Sequence, residues 1–124
     1  YSRNKAVSHL NRGKVTIFGC GMGNPFFSTD TAAVLRGAEI GADVVLMAKN
    51  IDAIYTDDPR KNPDAKKLSE VDYDYILKNH LSAIDTCAAS FAMDNHMKLH
   101  IFGLDDSENI YRVIMGEKIG TIVD

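Results

Sequence analysis

Short apolar runs alternate with helical stretches along most of this chain of 124 residues. The apolar runs predict strands, and the stretches between them predict helices with one apolar side. This alternation is typical of an α/β fold with a mainly parallel sheet, arranged as a three-layer αβα sandwich. The predicted strands are 15–18, 43–48, 99–102 and 120–123, and the predicted helices are about 29–40, 72–79, 87–95 and 108–115.

Local signals mark the boundaries of several of these elements. Thr29 or Asp30 is expected to cap the helix at 29–40, and Gly41 is expected to end it. The run at 43–48 is almost continuously apolar, which is typical of a strand covered on both faces. The proline-rich stretch at 57–64 is predicted to be a loop. No linker divides the chain, so residues 1–124 are expected to belong to one domain.

Charge and composition exclude several classes of partner. The chain has 14 Lys and Arg against 17 Asp and Glu, and the net charge of -3 provides no broad positive surface for a nucleic acid. No apolar run approaches the roughly 20 residues of a membrane-spanning helix. Two cysteines without a CxxC pair do not suggest a disulfide scaffold or a zinc site. We therefore expect a cytoplasmic protein without a nucleic-acid partner, a membrane partner or a resident metal.

A glycine-rich loop, Gly19 to Gly23, lies between the first predicted strand and the helix at 29–40. Closely spaced glycines can turn backbone amides toward a ligand, and a helix N-terminus adds positive potential, so the pattern favours a bound phosphate. A tight turn without a ligand is the alternative. Asn24 replaces the last glycine of a dinucleotide-binding fingerprint, and no Gly-Lys pair is followed by Ser or Thr as in a P-loop.

Two adjacent aromatic residues, Phe26 and Phe27, follow the glycines. They can form an apolar wall for a base or a sugar, or they can pack in the core. The neighbouring hydroxyl and amide groups suit phosphate or ribose. Asp30 also has two interpretations, because it can cap the helix or act as a carboxylate that orients catalytic lysines or Mg²⁺.

The run Gly23-Asn24-Pro25-Phe26-Phe27-Ser28-Thr29-Asp30 resembles the UMP-binding segment of bacterial-type UMP kinases. These enzymes belong to the amino-acid kinase superfamily, and their usual loop is GTGNPFF followed by Ser/Thr-Thr-Asp. The resemblance continues in order at 36–49, 52–59 and 115–121, so it covers nearly the whole chain. It implies the C-terminal portion of the amino-acid kinase fold and a role in phosphoryl transfer from ATP to UMP.

The resemblance also implies roles for individual residues. Asp30 matches a carboxylate near the reacting phosphates, and a tyrosine at position 55 can stack on or flank an adenine. Mg²⁺ with ATP, allosteric effectors such as GTP or UTP, and a homo-hexamer are further implications. The implied UMP site is Met22, Gly23, Asn24, Pro25, Phe26, Phe27, Ser28 and Thr29, and the implied ATP site is Lys49, Asn50, Tyr55 and Asp58.

Two residues depart from the family pattern. Met22 stands where threonine is usual, so a hydroxyl near UMP is lost. Ala53 stands where glycine is usual, and a positive φ at that position would strain alanine and shift Tyr55.

The family holds the ATP phosphates largely through its N-terminal half, with a Lys-Leu-Ser-Gly-like segment and a later glycine-rich loop. We identify neither here, and the chain begins at Tyr1 within a predicted helix, so the N-terminal half is expected to be absent. The isolated fragment is then expected to be inactive, because phosphoryl transfer depends on neutralising the charge of the transferred group. Two other hypotheses are a non-catalytic nucleotide-binding or sensing module of the same fold and an unrelated α/β ligand-binding domain.

Overall fold

The computed structural model describes all 124 residues and contains five helices and six strands. The helices are α1 (Arg3–Leu10), α2 (Thr29–Ile40), α3 (Tyr73–Lys78), α4 (Thr86–Asp94) and α5 (Glu108–Ile114). The strands are β1 (Val45–Lys49), β2 (Ile54–Tyr55), β3 (Lys67–Leu68), β4 (Glu70–Val71), β5 (Leu99–Gly103) and β6 (Thr121–Val123). Apart from the segment at 15–18, every predicted element is present, with small shifts at its ends.

The main sheet has four strands in the order β1-β5-β6-β4. β1 is parallel to β5 and β4 is parallel to β6, whereas β5 and β6 are antiparallel. β2 and β3 form a separate antiparallel pair, connected by the predicted loop at 57–64. The mainly parallel sheet and its helices confirm the predicted α/β fold class. No helix is both long and apolar enough to cross a membrane.

Side-chain caps fix where the helices next to the sheet begin. The Ser28 side chain accepts a hydrogen bond from the backbone N–H of Thr31, so Ser28 caps α2, and the predicted cap at Thr29 or Asp30 is wrong. Gly41 ends α2 in the left-handed region at φ 67°, as predicted. Asp72 and Asp85 cap α3 and α4 in the same way. Because Ser28 accepts the hydrogen bond from the first turn of α2, the Asp30 carboxylate is not needed as the cap and can make another contact.

The core lies where α2 and α4 pack together beside the sheet. Ala88, Ala89 and Ala92 of α4 are fully buried, and their small side chains allow the two helices to approach closely. Leu99 and Ile101 of β5 are also fully buried. Burying one such aliphatic side chain stabilises the fold by about 1.5–3 kcal/mol. This core fixes the position of α2 relative to the carboxyl end of β1.

The prediction of a strand at 15–18 is wrong for this chain. The segment has no regular structure, and the Val15 and Ile17 side chains are both 92% exposed. A strand requires a neighbouring strand to which its N–H and C=O groups can form hydrogen bonds. No backbone hydrogen bond joins 15–18 to any strand of the chain. An apolar segment that has strand propensity is thus left without a sheet.

The prediction that the strand at 43–48 is covered on both faces is also wrong. β1 is an edge strand, and Leu46 is 37% exposed while its neighbour Met47 is buried. The continuous apolar run therefore has one buried face and one partly open face. Val44, just before β1, is exposed as well. A cavity of about 460 Å³ lies beside the open face of β1, and its lining includes Phe18, Val44 and Leu46.

Candidate functional site

The loop between 19 and 28 has an unusual backbone that agrees with an anion-binding role. Gly21 and Gly23 have positive φ values of 57° and 72°. Cys20 and Phe26 also adopt positive φ, at 67° and 69°, although neither is glycine. Such a conformation costs of order 1–3 kcal/mol for a residue with a side chain, and strain of this kind clusters at ligand sites. Where a residue of positive φ follows a residue of negative φ, successive backbone N–H groups point toward one position. This is the geometry of an anion-binding nest.

Phe26 and Phe27 are not core residues. Phe26 is fully exposed and Phe27 is half exposed, so the interpretation as core packing is wrong for this chain. Contiguous exposed apolar surface of this kind can mark a ligand-binding site. They remain available as an apolar wall beside the glycine-rich loop.

Asp30 forms an ion pair with Lys49. The Lys49 Nζ lies 2.6 Å from Asp30 Oδ2 and also donates to the backbone oxygen of Ala83 at 2.6 Å. The pair is partly buried, with 18% of the Asp30 side chain and 23% of the Lys49 side chain exposed. Lys49 is the last residue of β1, and it lies at the carboxyl end of two parallel strands, β1 and β5. Ligands of open α/β sheets bind at this edge.

Asp85, which the sequence analysis did not select, connects the starts of two helices. Its carboxylate accepts hydrogen bonds from the hydroxyls of Ser28 and Thr31 at the start of α2. It also caps α4 by accepting from the backbone N–H of Ala88 at 2.8 Å. An aspartate before an alanine-rich helix predicts the cap. The contact with α2, 54 residues earlier, gives no sequence signal.

The environment of Asp85 favours its charged form. Burial alone raises the pKa of the Asp85 carboxyl, but the hydrogen bonds from Ser28, the Ala88 backbone and Thr31 outweigh it and hold the pKa below its usual range. The charged form is therefore stabilised in the folded state. Asp85 positions the loop and α2, and through α2 it positions Asp30.

We expect Asp85→Ala to reduce the free energy of unfolding by about 2–3 kcal/mol at pH 7, because two hydroxyls and one helix end lose a charged acceptor. A group with a depressed folded pKa stabilises the fold above its unfolded pKa, about 3.9, and this contribution is lost as the pH falls through the folded value. The difference between wild type and variant should therefore be largest at neutral pH and shrink below about pH 4.

Urea unfolding at pH 7 and pH 3 measures this difference. Asp72→Ala is the matched control, because Asp72 caps α3 but makes no hydrogen bond to another helix, and it should cost only about 1 kcal/mol. Equal losses in the two variants, or a pH-independent loss in Asp85→Ala, would show that the contact between Asp85 and α2 contributes nothing.

A second cleft, which we call the Tyr55 cleft, lies beside the hairpin of β2 and β3. It has a volume of about 790 Å³, and its lining includes Asn50, Tyr55, Asp58 and Ala83. Three of the four residues implied for the ATP site therefore share one cleft. The fourth, Lys49, reaches the wall of this cleft through its hydrogen bond to Ala83.

Two further residues hold Tyr55 in place. The Tyr55 hydroxyl donates to Asp52 at 3.0 Å, and Lys67 Nζ lies 3.0 Å from the same carboxylate. Burial raises the pKa of Asp52, but hydrogen bonds from Lys67 and Tyr55 make the net change a lowering. Burial and the bond to Asp52 raise the pKa of Tyr55, so its hydroxyl stays protonated at neutral pH. The run 67–70, Lys-Leu-Ser-Glu, shares three residues with the family's Lys-Leu-Ser-Gly segment but lacks its glycine. Lys67 is paired with Asp52, so we do not assign this run to the ATP phosphates.

The departure at Ala53 causes no strain. Ala53 is not among the residues with positive φ, and it is 1% exposed, so its methyl group is accommodated in the interior. Tyr55 is positioned without a glycine at this point. Met22 is half-buried beside the glycine-rich loop, where it lines a cavity of about 600 Å³ with Arg36 and Thr16.

The chain has no group of three His, Cys, Asp or Glu side chains arranged to hold a metal ion. The donor set is nevertheless the kind with which proteins bind Mg²⁺ beside a nucleotide, namely one or two carboxylates with phosphates supplying the other ligands. Asp30 has one such carboxylate, and its Oδ1 accepts no hydrogen bond from the chain, since Lys49 and the Asp85 backbone both contact Oδ2.

Comparisons with known proteins show which proteins this chain resembles in sequence and fold. The sequence model of the amino acid kinase family matches residues 1–103. The fold superposes on a crystal structure of UMP kinase from Bacillus anthracis with a TM-score of 0.93 and 34% identity, covering 100% of this chain and 51% of that one. UMP kinase from Ureaplasma parvum gives 0.90 and 32%, covering 100% and 53%. Uridylate kinase from Archaeoglobus fulgidus gives 0.70 and 28%, covering 82% and 49%. The chain thus spans about half the length of these proteins.

Proposed function

This chain belongs to the amino acid kinase family, and we propose that it is the C-terminal, nucleotide-binding part of a UMP kinase. The reaction is phosphoryl transfer from ATP to UMP, giving UDP and ADP. The observation that carries the proposal is the position of the Asp30–Lys49 ion pair. It lies between the start of α2, which follows the glycine-rich loop, and the wall of the Tyr55 cleft. Transfer of a phosphoryl group between two nucleotides requires two adjacent binding sites, and the ion pair lies where the two proposed sites meet.

UMP is proposed to bind along residues 22–29. The glycine-rich backbone and the N-terminus of α2 suit its phosphate, because amide groups and the helix dipole both favour an anion there. The exposed Phe26 and Phe27 supply an apolar surface for the base or the sugar. Thr29 lies in the first turn of α2, next to Asp30.

ATP is proposed to occupy the Tyr55 cleft. Tyr55 offers an aromatic face for adenine, and its fixed hydroxyl bond to Asp52 limits the positions of the ring. Asn50 and Asp58 line the same cleft and offer amide and carboxylate groups to the base and ribose. Lys49, at the boundary between the two sites, is the remaining residue that we assign to ATP.

Catalysis in such an enzyme consists mainly of positioning and charge neutralisation. Asp30 is the proposed catalytic carboxylate, since it faces a lysine at the junction of the two sites. Mg²⁺ bound with ATP supplies further positive charge to the phosphates, and Asp30 is the side chain that would hold it. The family resemblance implies that the segments that bind the ATP phosphates lie in the half of the relatives that this chain does not match.

The family membership supports several wider proposals. We place the protein in the cytoplasm and in the biosynthesis of pyrimidine nucleotides. The complete protein is proposed to assemble as a homo-hexamer and to respond to GTP or UTP as allosteric effectors. Residues 1–124 are proposed to be part of one amino-acid kinase domain.

Ligand-dependent thermal unfolding tests the choice of nucleotide. A ligand that binds only the folded state increases the free energy of unfolding, by about 2.7 kcal/mol at a ligand concentration of 100 times Kd, and Tm rises as a result. We expect UMP and UTP to raise Tm, and CMP to raise it less. AMP serves as the purine control for the acceptor site. Equal shifts for UMP, CMP and AMP in the complete gene product would contradict the assignment of UMP to residues 22–29.

A further inference from the structure

We infer that Thr121, on β6, is a positioning residue for the proposed ATP site, because it holds the hairpin of β2 and β3 and so fixes Tyr55 at the wall of the cleft. The inference rests on the proposed function and deepens it. Thr121 is fully buried and does not line the Tyr55 cleft. It therefore acts through the hairpin and not by contact with a nucleotide.

The hydroxyl group of Thr121 connects the two strands of the hairpin. It accepts a hydrogen bond from the backbone N–H of Ile54 on β2 at 2.8 Å, and it donates one to the backbone oxygen of Leu68 on β3 at 2.5 Å. Ile54 and Leu68 are paired residues of the hairpin. One side chain of the main sheet thus holds both strands, and Tyr55 is the next residue along β2.

β2 depends on this contact more than β3 does. It consists of two residues and pairs with β3, and no backbone hydrogen bond joins it to the four-stranded sheet. A two-stranded hairpin is marginally stable by itself in water. β3 differs, because the chain continues through Ser69 into β4, which pairs with β6. The bond from Ile54 to Thr121 is therefore the hydrogen bond that ties the strand of Tyr55 to the main sheet.

Burial makes the contact with Thr121 stronger than the other contact that holds Tyr55. Thr121 and Ile54 are both fully buried, so water cannot replace either partner. Leaving a buried N–H or C=O group without a partner costs more than an ordinary hydrogen bond contributes. The pair of Asp52 and Lys67 is about half exposed, and exposed ion pairs contribute little. We therefore expect Thr121 to contribute more than Asp52 to the position of the hairpin.

The position of Thr121 is itself fixed by β5. Thr121 pairs in register with Ile101, which is fully buried on that strand. The preceding residue, Gly120, has a φ of 77°, and a Cβ atom there would overlap the backbone oxygen of Ile101. A glycine is required for this close approach. The hydroxyl group is thus presented to the hairpin by two packed strands of the main sheet.

The alternation of side chains along β2 links this contact to the cleft. Successive residues of a strand point to opposite faces. Ile54 points into the interior, whereas Tyr55 is partly exposed and lines the cleft. A displacement of β2 would therefore move the Tyr55 ring. An aromatic wall that is ordered in advance reduces the entropy lost when a ligand binds.

The alternative is a hydroxyl group that contributes to global stability and has no influence on the cleft. The test compares Thr121→Val with Thr121→Ser in the complete gene product, since valine keeps the shape without the hydroxyl and serine keeps the hydroxyl. We expect Thr121→Val to raise KM for ATP by about tenfold and to change KM for UMP by less than about threefold, because a mobile Tyr55 weakens the binding of ATP. Thr121→Ser should have a KM for ATP within about threefold of wild type.

Val123→Ala is the matched control. Val123 is also fully buried on β6, but it pairs with β5 and β4 and not with the hairpin. The substitution should lower the free energy of unfolding and leave KM for ATP unchanged. A folded, active Thr121→Val enzyme with the wild-type KM for ATP would overturn the inference. An equal rise of KM for ATP in Val123→Ala would overturn it as well.

A second measurement uses the wild-type protein and does not depend on the folding of a variant. Amide hydrogen exchange without nucleotide should show the Ile54 N–H protected about as well as the N–H of Ile122, which donates to Ser69 within the sheet. Exchange of Ile54 as fast as that of the amides in the loop at 57–64 would overturn the inference. Failure of the proposed function is seen separately, since the wild-type protein would then form no UDP, whereas the exchange of Ile54 does not depend on turnover.

Discussion

Asp30→Asn should lower the turnover of UMP in the complete enzyme by about two orders of magnitude or more, while the protein stays folded. Asparagine has nearly the same shape, and its oxygen can still accept a hydrogen bond from Lys49. Because Ser28 caps α2, the helix does not lose its cap in this variant. The ion pair is partly buried, and losing its charge should cost about 1 kcal/mol of stability. The catalytic effect is therefore much larger than the structural one.

Steady-state kinetics and urea unfolding of the same preparation separate these effects. Asp74→Asn is the control, because Asp74 forms a comparable ion pair with Lys78 that is exposed on α3. It should change neither kcat nor stability by a measurable amount. Near-normal turnover in a well-folded Asp30→Asn enzyme would mean that the Asp30 carboxylate takes no part in catalysis.

Residues 1–124 alone should bind nucleotide but form UDP far more slowly than an ordinary enzymatic rate of about 1 per second. The glycine-rich loop has no lysine or arginine of its own, and Lys49 is the cation that lies between the two proposed sites. One ammonium group cannot supply the charge that phosphoryl transfer needs. The family resemblance implies that most of this charge comes from the other half of the domain. The open face of β1 and the exposed Val15 and Ile17 provide an apolar surface on which that half can pack.

Complementation tests this expectation. The unmatched first half of a homologous UMP kinase, expressed separately and mixed with residues 1–124, should restore UDP formation that requires ATP and Mg²⁺. A first half that carries a substitution in its lysine segment is the matched control and should not restore it. Rapid UDP formation by residues 1–124 alone, free of host kinases, would mean that a complete phosphate site exists within this chain. Tight nucleotide binding without turnover in the complemented protein would favour the sensing module instead.

The helices and most strands could be predicted because their signals are local. Gly41 ends α2 through its own left-handed backbone, and the periodicity of α4 lies within one segment. The strand at 15–18 could not be assigned correctly, since a strand depends on a neighbour that no local pattern describes. The same limit explains β1, whose apolar run does not reveal that it is an edge strand.

The candidate site was predictable in its parts but not in its connections. The UMP-site residues were selected from one contiguous motif at 22–30, and the ATP-site residues from a second stretch at 49–58. The Asp30–Lys49 pair joins positions 19 residues apart, and the contact of Asp85 with Thr31 spans 54. Neither spacing has a periodicity that would indicate contact. The concern about Ala53 was also unfounded, because the need for glycine depends on a φ value that only the fold determines.

The most direct test of the central claim is phosphorus NMR of the complete gene product with UMP, ATP and Mg²⁺. The account predicts that UDP and ADP appear in equal amounts, that UMP is consumed faster than CMP or AMP, and that Asp30→Asn slows the reaction. If the folded wild-type protein consumes no UMP, or phosphorylates CMP and AMP as readily as UMP, the assignment of this chain to a UMP kinase is contradicted.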